Sequence, residues 1–168
     1  MLISIIIPTL NEETHIAKTL THTLKLKGNF EILVVDGGSN DRTIEIVKDF
    51  PEVKRYCAPK GRALQMNLGA RHAQGEILVF LHADTFLPKE AFASICELCK
   101  AKDTVGGSFR LVVDDPNPIF KSTLGSVDGT LSFSLMVTMP CLLRNVFLIP
   151  SMVLNLFPLW KMSRFNIG

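Results

Sequence analysis

A chain of 168 residues has room for one domain with a sizeable core, and 47% hydrophobic against 20% charged residues excludes a disordered or low-complexity polymer. The formal charge of +2, with acids and bases mixed along the chain, gives no basic stripe, so no nucleic-acid polymer is expected as a partner. Four cysteines, Cys57, Cys96, Cys99 and Cys141, lack the paired clusters of a zinc site and fit a reduced, cytoplasmic setting.

The start of the chain, Met1 to Pro8, is apolar but short and has no basic n-region; it reads as a first strand and not as a signal peptide. Leu2 to Ile7 is a β-branched run of the kind buried on both faces, stopped by Pro8. Asn11 then precedes two acids, Glu12 and Glu13, that suit a helix start, with the helix running to about Thr23. Phe30 to Val35 repeats the strand pattern and ends in Asp36-Gly37-Gly38-Ser39-Asn40-Asp41, after which Thr43, Ile44 and Val47 fall at helical spacing. Val53 to Cys57 is a short third strand, Arg62 to Ala73 a helix, and Ile77 to Leu81 a buried fourth strand. A helix over Lys89 to about Lys100 and a strand over Val105 to Val113 complete the pattern. Strands alternating with helices predict right-handed crossovers and a largely parallel α/β sheet.

In such a sheet ligands sit beyond the carboxyl ends of the strands. Three acid-bearing loops, Pro8 to Glu12, Asp36 to Asp41 and His82 to Asp84, should therefore gather at one edge. One carboxylate there can hydrogen-bond a base or ribose while another holds a divalent cation against phosphate oxygens, with Mg2+ or Mn2+ the natural choice. Asp84 is the first candidate for that cation; the alternative is that it caps the turn or helix after it. Arg62, opening the helix before the fourth strand, can face phosphate together with that helix's first amides, or be an exposed arginine at a helix start.

Three segments, ISIIIPTLNEE from Ile3, EILVVDGGSNDRT from Glu31, and GRALQMNLGA from Gly61 followed by GEILVFLHADT, together resemble the donor half of a family 2 glycosyltransferase, close to a small bacterial subgroup. The resemblance covers residues 1 to about 120. It implies the GT-A fold, a Rossmann-like nucleotide-sugar-binding sheet, here with the acceptor half missing. It further implies that Pro8, Thr9, Leu10 and Glu12 wrap the nucleoside, Asp36 hydrogen-bonds the base, Arg62 approaches the diphosphate and Asp84 ligates the metal. His82 stands at the first position of the family's Asp-x-Asp motif, as a metal ligand, a phosphate contact or a structural residue. The implied partners are a nucleotide-sugar donor, with a UDP-sugar expected because Asp36 suits the imide edge of uracil, and an acceptor that is a glycan, a lipid or a small molecule.

The family's acceptor-side motifs, including the acid expected as catalytic base, are absent after residue 120, so the catalytic residue is unknown and transfer by this chain is expected to be weak or lost. Residues 121–168 form an atypical apolar tail. Read two bases on, the codons of Met136-Val137, Met139-Pro140, Met152-Val153 and Trp160-Lys161 must give Gly, Ala, Gly and Glu, family residues in family order. The tail is therefore expected to be a frameshifted remnant. A membrane-contacting segment is the competing reading, since Leu131 to Leu143 and Val146 to Trp160 are uncharged but shorter than the ~20 residues of a spanning helix. A non-catalytic nucleotide-binding or membrane-associated module is thus one alternative function. A sugar-nucleotide pyrophosphorylase-like enzyme is another, although it should carry a Gly-rich loop where this chain has PTLNEE.

Overall fold

The computed structural model describes residues 1–99 and two short strands, at 106–107 and 136–138. In chain order the elements are β1 (Ile3–Thr9), α1 (Ile16–Leu24), β2 (Phe30–Asp36), α2 (Thr43–Lys48), β3 (Val53–Cys57), α3 (Arg62–His72), β4 (Ile77–Phe80), α4 (Ala91–Leu98), β5 (Gly106–Gly107) and β6 (Met136–Thr138). The sheet order is β3-β2-β1-β4-β6-β5, parallel over the first four strands and antiparallel where β6 meets β4 and β5. β6 lies beyond the boundary expected at residue 120, so the sheet takes a strand from the segment read as a tail. It pairs backbone groups of Leu78 to Phe80 that would otherwise form an open edge. The remainder of the strand expected over 105–113 lies outside the described residues, as does Cys141.

Ile3, Ile5 and Ile7 of β1 pack with Ile32 and Val34 of β2 on one face, under α1, α2 and α4, while Ile6, Leu33 and Val35 pack on the other, under α3. That two-sided burial explains the unbroken apolar runs of the central strands. On α1 the buried residues Ile16, Thr19, Leu20 and Thr23 recur at three- and four-residue spacing, one stripe facing the sheet. Gly69 places α3 against β1: a Cβ there would run into the Ile6 side chain.

Two boundaries differ from expectation. β1 continues through Pro8 to Thr9, because the side on which Pro8 lacks an N–H faces β4, whose pairing with β1 has ended at Ile6. α1 begins at Ile16 and not near Glu12. Asn11 takes a left-handed φ of 57°, and the N–H groups of Asn11, Glu12 and Glu13 are spent on side chains of the next loop. Among the described residues no helix is long and apolar enough to cross a membrane.

At the amino end of the sheet Glu31 ties three strands together. Its Oε1 accepts from the Ser4 hydroxyl at 2.5 Å and the Gln74 N–H at 2.6 Å, and its Oε2 accepts from Lys54 Nζ at 2.7 Å. Ser4 Oγ in turn accepts the Gly75 N–H at 2.8 Å. Burial raises the Glu31 carboxyl, but the bonds from Lys54, Ser4 and the Gln74 N–H outweigh it and hold the group below its ordinary 4.5. A depressed acid contributes stability that is present above its unfolded value and is lost as pH falls through the folded one. Glu31→Gln, which sets an amide against Lys54, should cost about 1–2 kcal/mol at neutral pH. It should also flatten the fall in Tm below pH ~4.5. Thermal melts between acid and neutral pH test this, and an unaltered acid limb in the variant would count against it.

Candidate functional site

The strand order reverses at β1. α1 and α2 carry the chain from β1 to β2 to β3 on one face; α3 then crosses the opposite face to deliver β4 on the other side of β1. Such a switch point opens a crevice beyond the carboxyl ends of the two diverging strands. Here the last link between them is Leu81 N–H to the Ile6 carbonyl at 2.9 Å. Beyond it a cavity of about 300 Å³ is lined by Pro8, Thr9, Leu10 and Glu12 after β1, Arg62 on α3, and His82 and Asp84 after β4. Seven of the eight expected site residues are thus brought together. Lys60 and Gln65, which the sequence did not single out, also line it.

Asp36 is the exception. It is 3% exposed and absent from the lining. Its Oδ2 accepts the N–H groups of Gly38 and Ser39, both at 2.8 Å, and its Oδ1 accepts the Ser39 hydroxyl at 2.5 Å and the Thr9 hydroxyl at 3.3 Å. With four donors already on it, the carboxylate shapes its own turn and offers no open lone pair to a base. Asp41 is committed in the same way, accepting from the Thr43 N–H and hydroxyl and from the Glu13 N–H. These bonds hold Asp41 below the usual carboxylate range although partial desolvation opposes them. Asn11 completes the stitching: its N–H donates to Ser39 Oγ and its Oδ1 accepts the Asn40 N–H, both at 2.9 Å. The loops after β1 and β2 therefore form one hydrogen-bonded layer.

The loop after β4 is fixed from α1, where the buried Thr19 hydroxyl donates to the Ala83 carbonyl at 2.5 Å. His82 and Asp84, which flank Ala83, both line the cavity. Asp84 is exposed and, among the described residues, accepts the Thr85 hydroxyl alone, at 3.1 Å. α4 starts seven residues later, at Ala91, without a side-chain cap, so capping does not account for Asp84. Across the mouth, Gly61 adopts φ 146°, a conformation strained for any side chain, and turns the chain directly into α3 at Arg62.

Arg62 Nη2 contacts His82 Nε2. An arginine can only donate, so a hydrogen bond here takes Nε2 as the acceptor nitrogen of a neutral imidazole. Desolvation, then the Arg62 charge, push His82 below its ordinary value, and Asp84 opposes them in part. Desolvation also lowers Arg62, against the pull of Asp84. Among the described residues no group of three or more His, Cys, Asp or Glu converges as a metal cage. What the described residues of the site offer a cation is one open carboxylate, Asp84, an oxygen ligand of the hard kind Mg2+ or Mn2+ takes, which would leave the other positions to phosphate oxygens and water; the Arg62 guanidinium beside it cannot ligate. Asp36→Ala should cost on the order of 2–3 kcal/mol by orphaning four donors. A chemical-denaturation midpoint equal to wild type would contradict that assignment.

The sequence profile described as "Glycosyl transferase family 2" matches residues 4–153, past the boundary expected at residue 120. A Methanococcus voltae enzyme, dolichyl N-acetyl-alpha-D-glucosaminyl phosphate 3-beta-D-2,3-diacetamido-2,3-dideoxy-beta-D-glucuronosyltransferase, is 35% identical over 100 residues, 54% of this chain and 31% of that protein. The crystal structure of S. aureus TarS 1–349 in complex with UDP-GlcNAc superposes with TM-score 0.62 at 24% identity, over 70% of this chain and 36% of that one. Mannosyltransferase PcManGT from Pyrobaculum calidifontis, in complex with GDP-Man and Mn2+, does so with TM-score 0.56 at 28% identity, over 65% of this chain and 35% of that one. The match spans about a third of the length of these relatives.

Proposed function

Because the chain belongs to glycosyl transferase family 2, its profile covering residues 4–153, we propose that the switch-point cavity binds a nucleotide-sugar donor, a UDP-sugar in the first instance, for sugar transfer to an acceptor. The observation that carries this reading is that Arg62 and Asp84, close enough to feel each other's charge, line one cavity with Pro8, Thr9 and Leu10. The β1 loop residues suit a nucleoside, and the charged pair of groups suits a diphosphate with its cation. That TarS holds UDP-GlcNAc on the same fold supports the choice of donor, and Mn2+ with GDP-Man in the Pyrobaculum enzyme supports a divalent ion.

Arg62, oriented by His82, meets the diphosphate oxygens, aided by the first amides of α3. Asp84 would hold Mg2+ or Mn2+, which supplies neutralisation of the departing diphosphate. Pro8, Leu10 and the layer stitched behind them keep the nucleoside in place and exclude water from one side. Displacement at the sugar carbon by an acceptor hydroxyl gives inversion, and a general base for that hydroxyl is typically worth ~10²–10⁴-fold in rate. Among the described residues lining the cavity none matches the base expected of the family, and the expectation is slow transfer with donor binding retained.

Calorimetric titration with UDP tests the reading. Binding should strengthen in Mg2+ or Mn2+, Asp84→Asn should remove that gain, and Arg62→Ala should weaken binding about ten-fold. Absence of UDP binding, with the fold intact, overturns the proposal; robust metal-dependent transfer overturns the part concerning the base. The shifted-frame reading of 121–168 is tested by sequencing the gene there. One missing or extra base restoring the family's acceptor motifs would support it, and confirmation of the unshifted frame in the gene would remove it.

A further inference from the structure

Gln65 is a helical glutamine that is 4% exposed, yet it lines the cavity. Its Nε2 donates to the Thr9 carbonyl at 2.7 Å and the Val35 carbonyl at 2.8 Å, at the carboxyl ends of β1 and β2. Both partners can only accept, which fixes the amide's orientation and turns Oε1 away from them. Nothing among the described residues donates to that oxygen. The side-chain atoms that are both buried and unpartnered are His22 Nδ1 and Asn67 Nδ2; Oε1 is not with them and so keeps an open surface. An oriented, unpaired acceptor on the wall of a ligand cavity is a recognition group awaiting a donor.

Gly37 makes room for it. A Cβ on residue 37 would lie 3.0 Å from Gln65 Cδ and Oε1 and 3.1 Å from Nε2, so a side chain there would push the amide out of its place by a few tenths of an ångström. Asp36, the neighbouring carboxylate, has no lone pair to offer, as its four donors show. The acceptor function at this wall therefore falls to Gln65. We infer that Gln65 Oε1 accepts the imide N–H of a uracil base and sets the nucleotide specificity of the site, with Gly37 as the clearance that lets it do so. The inference rests on the nucleotide-binding reading above and names the group that selects the base.

The chemistry discriminates sharply. Uracil presents N3–H to an acceptor. Cytosine presents a bare nitrogen at the same position, lone pair against lone pair. A site whose polar group is satisfied by one base and left facing a lone pair by the other gains its selectivity from the mismatch. Guanine also carries a ring N–H, but a cavity of about 300 Å³ is at the small end for ligand sites and favours the pyrimidine.

The test is competitive binding of UDP, CDP and GDP, each with Mg2+, to the full chain and to Gln65→Leu and Gly37→Ala. Wild type should prefer UDP over CDP by roughly ten-fold or more, and both variants should bring that ratio to within about three-fold. The ratio is decisive because loss of the Thr9 and Val35 tethers alone weakens all three nucleotides together and leaves it unchanged. Gly37→Ala keeps those residues' chemistry and moves only the amide, so it serves if Gln65→Leu fails to fold. A UDP/CDP ratio that survives either folded variant, or a wild type that prefers CDP or GDP, overturns the inference while nucleotide binding stands. No binding of any of the three by folded wild type sinks the nucleotide reading itself.

Discussion

The hydrogen bond from Leu81 N–H to the Ile6 carbonyl is where β1 and β4 last touch, and the site exists because they part there. β1 runs on to Thr9 still paired with β2, while β4 ends and its chain swings away through His82 to Asp84. Pro8 marks the divergence chemically, having no N–H to offer on the abandoned side. The right-handed crossovers leave α3 no route except the far face, and its first residue, Arg62, arrives at the same gap.

Most of the acidic character of the neighbouring loops is structural. Asp36 closes β2 and Asp41 lies in the loop after it, where residues that meet ligands are found, but their oxygens are filled by Gly38, Ser39, Thr43 and Glu13. An exposed backbone turn needs acceptors for its N–H groups, and a short carboxylate within the turn is the nearest source. Asp84 differs in that, among the described residues, a single hydroxyl donates to it. The distinction between a loop-forming acid and a ligand-binding acid is thus a matter of which lone pairs remain open.

The alternation of strands and helices was readable because hydrophobic runs and turn residues are local signals: β3 has the bounds expected of it, and β2 and α3 differ by one residue. The start of α1 was not readable, since it depends on donors from Asn11 to Glu13 reaching side chains about thirty positions away. At the site, resemblance located the residues of the β1 and β4 loops, while the role of Asp36 turned on bonds that no spacing reveals. Gln65 escaped notice because a polar residue inside a helix ordinarily faces solvent. One local sign was present: α3 carries Gln65 and Asn67 with no single apolar stripe, and both are buried.

The lining sets Lys60 and Arg62 against Glu12 and Asp84, with His82 held uncharged. Among the described residues of the lining the opposite signs offset one another, so contact within the cavity, more than long-range attraction, would hold a charged ligand there. The lifetime of the bound state, and not the rate of encounter, is then the quantity on which selection acts.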